Sequence, residues 1–72
     1  MRKVIEIWYD AGWGRAFIKV DNIKIALKTC IVLDTNKYTG ITVDVTYYDK
    51  YNDIIESKSK WYSFKDNKLN RI

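Results

Sequence analysis

Ile23-Lys24-Ile25-Ala26-Leu27-Lys28-Thr29-Cys30-Ile31-Val32-Leu33 supports two readings, and the choice between them decides the fold. In a strand, alternate side chains point to opposite faces. Ile23, Ile25, Leu27, Thr29, Ile31 and Leu33 would then form one long apolar stripe, with Lys24, Ala26, Lys28, Cys30 and Val32 behind it. In a helix, Ile23, Ala26, Leu27, Cys30 and Ile31 fall at i, i+3, i+4, i+7 and i+8 and form a stripe of their own, which Asp21 could cap. Composition has to arbitrate. Ile, Thr, Cys and Val dominate, and β-branched residues favour strands. The strand is the preferred reading. Its length exceeds the usual 5 or 6 residues or so, and a strand that long in a small protein bends to serve two neighbours.

The flanks fit that reading. Lys3–Tyr9 alternates, with Ile5, Ile7 and Tyr9 on one face and Val4, Glu6 and Trp8 on the other. Asp10-Ala11-Gly12-Trp13-Gly14 is a turn with two glycines. Arg15–Val20 is a second strand that turns Ala16, Ile18 and Val20 inward. Asp21-Asn22 fits a two-residue hairpin turn, since both residue types tolerate positive φ. Asp34–Gly40 reads as a hairpin loop, and Ile41–Tyr48 alternates most cleanly of all. Asp49–Asp53 is a further turn. Ile54–Phe64 changes register: Ile55 and Trp61 share one face, Tyr62 and Phe64 the other, so a bulge or a break is expected near 57–60.

These elements predict an all-β domain over residues 1–66, a five-stranded antiparallel meander curled into an SH3-like or OB-like barrel, with 67–72 as a polar C-terminal tail. The alternative is α+β, with two β-hairpins packed on one helix at about residues 22–33.

The bulk numbers narrow the function classes. A chain of 72 residues buries a thin core, and dimerisation would supplement it. Net charge is +4, which favours polyanions or acidic protein patches as partners. One cysteine excludes a disulfide scaffold and fits a reducing, cytoplasmic setting. Glu6 and Asp10 interrupt any apolar leader, and no run is long enough to span a membrane. Ile, Lys, Asn and Tyr supply 31 of 72 residues, the AT-rich coding of many viruses and mobile elements.

Catalytic ingredients are scarce, so no enzyme, metal or cofactor is expected. There is no histidine, and a lone Cys30 without one is a poor nucleophile. Asp44 or Asp49 followed by Glu56-Ser57-Lys58 resembles, over three residues, the Asp…Glu-x-Lys core of metal-dependent nucleases. That resemblance implies carboxylates holding Mg²⁺ and a Lys assisting water. The same residues also read as a solvated strand face. Asp34-Thr35-Asn36 before Gly40 lacks the spacing of a calcium loop.

Surface character leaves two expectations. The first is a small non-catalytic inhibitor or adaptor, of the kind viruses and mobile elements encode, that binds a protein through Trp8, Trp13, Arg15 and Tyr38. Trp, Tyr and Arg dominate interface energetics, and Trp13 stands between two glycines. The second is a binder of single-stranded nucleic acid. It would use Arg15, Phe17, Lys19, Lys24 and Lys28 on one face, with Lys58, Lys60 and Tyr62 as a second cluster. Lysines would follow phosphates and rings would stack on bases.

Overall fold

A computed structural model describes all 72 residues. Strand β1 runs Arg2–Asp10, β2 Arg15–Val20, helix α1 Ile23–Thr35, β3 Thr39–Tyr48, β4 Lys60–Lys65 and β5 Lys68–Arg71. The strands form one sheet in the order β2-β1-β3-β4-β5, every neighbouring pair antiparallel. The small, mostly β, five-stranded antiparallel character expected from the alternation is present. The sheet is not closed, however. β2 and β5 are free edges, so the barrel is corrected to an open sheet carrying one helix.

The correction originates at Ile23–Leu33, which is helical. Asn22, and not Asp21, is the cap: its extended backbone aims its side-chain oxygen at the Ile25 N–H, 2.9 Å away. Ala26, Cys30 and Leu33 fall on one stripe and are buried against Ile5, Ile7, Ile41, Val43 and Val45. Topology explains why a helix prevails over β-branched composition. β2 and β3 both pair antiparallel with β1, one on each side of it, so they run in the same direction. The chain must therefore recross the length of the sheet between them. Thirteen helical residues span about 20 Å while covering the apolar faces of β1 and β3. Most of the β-branched side chains are left on the outside: Ile25, Ile31 and Val32 are 42%, 37% and 59% exposed.

Residues 34–40 were expected to be a hairpin loop. They hold the helix end instead. The Tyr38 N–H donates to the Leu33 carbonyl and the Lys37 N–H to the Asp34 carbonyl, with Lys37 left-handed at φ 69°. This is a Schellman closure with Lys where Gly is usual. Gly40 then sits at a bulge where the β1–β3 register shifts, at φ 62°. A Cβ there would run into the Asp10 carboxylate and crowd the Arg15 guanidinium.

The 67–72 segment is not a loose tail. Asp66 and Asn67 both take positive φ, 55° and 61°, which makes the tight turn of a two-residue hairpin. Lys68–Arg71 pairs along β4, Leu69 packs against the core, and Lys68 and Asn70 face water. The expected register change at 54–64 is a break. Ile54 forms a single bridge to Tyr48, Glu56–Lys58 is a turn, and pairing resumes at Lys60. Buried Ser59 clips this loop to β3. Its hydroxyl donates to the Ile55 carbonyl at 3.0 Å and accepts from the Tyr47 N–H at 3.1 Å.

Candidate functional site

The helix covers one side of the sheet and leaves the other uncovered. Cross-strand register sets what stands on the open side. One row runs Lys19, Glu6, Asp44, Trp61 across β2, β1, β3 and β4. The next runs Phe17, Trp8, Thr42, Ser63, Asn70 across all five strands. No residue on this side is fully buried. Trp8 and Phe17 stack with ring centroids 4.8 Å apart and planes 27° apart. Arg2 lies over the Tyr48 ring directly across the β1–β3 ladder, 4.7 Å from its centroid.

Arg15 anchors the third row. Its Nη1 donates to Asp10 Oδ1 at 2.9 Å and to the Gly40 carbonyl at 3.2 Å. This is the only ion pair in the protein, half-exposed at both ends and so a weak contributor. The centre of the face is acidic. Glu6 and Asp44 stand directly opposite each other, an unfavourable cross-strand pair. Burial first, then the Glu6 charge, pushes the Asp44 carboxyl above its ordinary range, and Arg15 partly offsets them.

The residues expected to bind do not share one surface. Trp8 and Arg15 are on the open face. Trp13 stands at the tip of the β1–β2 turn, 81% exposed, where Gly12 at φ 88° and Gly14 at φ 155° frame it. Tyr38 lies on the helix side, meeting the Tyr9 ring edge-on at 5.0 Å. Of the basic-aromatic set, Arg15, Phe17 and Lys19 do share the open face. Lys24 and Lys28 do not: they lie on α1, on the other side of the sheet. That correction follows directly from the helix. Lys60 and Tyr62 pair with Val45 and Val43, so they also face the helix side, and Lys58 precedes them in the turn. Met1, Tyr47, Ser57, Lys58 and Lys60 line an open cleft of about 400 Å³ there.

Glu56-Ser57-Lys58 lies in a turn while Asp44 belongs to the open face, so the nuclease-like triplet is not displayed along one strand. No group of three or more acidic or cysteine side chains is placed to hold a metal ion. Cys30 is fully buried, and desolvation pushes its thiol up to about 11, which keeps it protonated at neutral pH. No helix is long and apolar enough to cross a membrane.

Sequence reasoning missed Glu6, Asp44, Tyr48 and Trp61 as parts of this face. The alternation of β1 and β3 put Glu6, Trp8, Asp44 and Tyr48 on outward positions. Their assembly into rows needs the β1–β3 and β3–β4 registers, which no local signal carries. Comparison with protein-family models, curated proteins and solved structures gives no match.

Proposed function

We propose that this chain is a small non-catalytic protein-binding module, an inhibitor or adaptor, that engages its partner with the open face of the sheet. The observation that carries the proposal is the composition of that face: a stacked Trp8–Phe17 pair and Trp61 set around an acidic centre, with Lys19 and Arg15 at one edge. Trp, Phe and Arg are enriched in protein–protein interfaces, and Trp and Arg lead among their anchor residues. Its richness in Ile, Lys, Asn and Tyr, residues with AT-rich codons, supports a viral or mobile-element source for such a module.

Size bears on the kind of complex. Five strands at about 4.8 Å spacing and six residues at about 3.3 Å give roughly 500 Å² of flat surface. A standard interface buries about 800 Å² per partner, so this face alone suits a transient complex.

A nucleic-acid reading is favoured by Arg15, Phe17 and Lys19 projecting from one edge strand. Two features weigh against it. Phosphates crossing the sheet would meet Glu6 and Asp44. Trp8 and Phe17 also spend one ring face each on their mutual stack, leaving less for bases.

A titration of Trp fluorescence with mixed single-stranded DNA and RNA at low and moderate salt separates the readings. Protein binding predicts an unchanged spectrum. Quenching that fades with salt, the signature of counterion release, would replace the proposal with the nucleic-acid reading.

A further inference from the structure

Helix α1 lies over β1, β2 and β3, and the β4–β5 hairpin extends past it. On the helix side of that hairpin, Tyr62, Phe64 and Leu69 are half-buried. They pack against the edge of the core and keep part of their surface open to solvent. Arg71 pairs directly with Tyr62, and Lys60 precedes Tyr62 by two residues, so both cations share this side. Lys58 adds a third from the adjoining turn. All three are exposed, and none is paired with a carboxylate.

We propose that this ledge is a second docking surface, and that its occupant is an acidic amphipathic helix of another protein. Three arguments support that occupant. Two strands make a strip about 10 Å wide, which matches the 8–10 Å or so at which helices pack side by side. One helix therefore fits beside α1. Next, the strip offers an apolar floor with three unpaired cations, Lys58, Lys60 and Arg71, gathered at its open end. A helix with one apolar stripe and carboxylates clustered at one end complements both. Last, Tyr62 and Phe64 are held against the core, which suits packing under a helix better than stacking between free bases. This surface is on the opposite side from the face proposed above. A chain using both would join two partners, and neither proposal depends on the other.

The test uses the full chain labelled with nitrogen-15. The probe is a designed peptide of about 14 residues with a Leu stripe and Glu clustered at one end, long enough to cover the hairpin. Its control carries Lys in place of Glu, and a single-stranded oligothymidylate supplies the nucleic-acid arm. The acidic peptide should shift the amides of 60–64 and 68–71 while the Trp8 indole signal on the open face stays put. Lys60→Glu with Arg71→Glu should weaken it by about tenfold. Lys58→Glu, in an exposed turn where folding is not at risk, should weaken it by a smaller factor.

The ledge is refuted as an acidic-helix site by no binding, by equal binding of both peptides, or by shifts centred on Trp8. Tighter binding of the oligonucleotide at the same amides would reassign it to nucleic acid. Trp8→Ala should leave peptide binding unchanged, so failure of the open-face reading and failure of this one are distinguishable.

Discussion

The two sides of this sheet are built from the same strands and do different things. On the helix side, β1 and β3 contribute Ile5, Ile7, Ile41, Val43 and Val45, every one buried. On the open side the same two strands contribute Val4, Glu6, Trp8, Thr42, Asp44, Thr46 and Tyr48, none of them fully buried. The first set holds the fold by excluding water. The second keeps part of its surface in water and combines stacked rings, opposed carboxylates and a cation over a ring. Residues kept on a face that adds little to the core are the ones to question about binding.

The difference can be broken most forcefully at Ile7, which is fully buried. Ile7→Ala should destabilise by about 2–5 kcal/mol in urea unfolding, because the methylenes lost are not replaced. A loss below 1 kcal/mol or so would mean the helix side is not the core.

Cys30, also on the dry side, tests it through pH. Its thiol is raised from 9.0 to about 11 in the folded chain, so the folded state holds its proton more tightly than the unfolded one. The stabilisation is fully present below pH 9 and is lost as pH rises from 9.0 toward 11. Over that window wild type should lose about 2–3 kcal/mol relative to Cys30→Ala in matched unfolding curves. Parallel curves for the two proteins would show an exposed thiol.

Gly40 sharpens the comparison at the edge where the two sides meet. Gly40→Ala combines a positive φ with a collision against Asp10, and should cost about 1–3 kcal/mol. A neutral result would show that the bulge relaxes.

Asp44, on the open side, responds to pH in the same direction as Cys30, but in the acid range. A raised carboxyl penalises the folded state above the unfolded value of 3.8, and the penalty is relieved as pH falls toward it. Asp44→Asn should therefore stabilise at neutral pH, by roughly 0.2–1 kcal/mol, with the gain shrinking in acid. Destabilisation at neutral pH would place Asp44 in a favourable network instead.

Asp-Asn occurs twice, and the pair shows what the sequence reveals and what it hides. Asp21-Asn22 reads as a hairpin turn but opens a helix through Asn22. Asp66-Asn67 sits in a stretch that reads as a tail, yet both residues are left-handed and turn a hairpin. The dipeptide has the same local capacities in both places. Context decides: after Asn22 the chain must recross the sheet, and after Asn67 it can pair at once through Phe64 and Leu69. Strands β1, β2 and β3 were legible because alternation is local. The helix was not, because its β-branched residues face water while Ala26, Cys30 and Leu33 do the packing. Of the candidate site, Trp8, Arg15, Phe17 and Lys19 were legible from outward positions. Glu6, Asp44, Tyr48 and Trp61 join them only through register.

The most direct test of the open face as a binding surface is a quantitative pull-down from cell lysate, with wild type and the Trp8→Ala, Phe17→Ala double variant as paired baits. Urea unfolding of both is run alongside. Trp8 is half-buried and Phe17 is 48% exposed, so the double variant should remain folded, within about 2 kcal/mol of wild type. It should nonetheless lose the partner that wild type retains. Retention of that partner by the folded double variant, or its collapse to an unfolded chain, would contradict the account. Those rings would then be packing, and the face would be a second core surface.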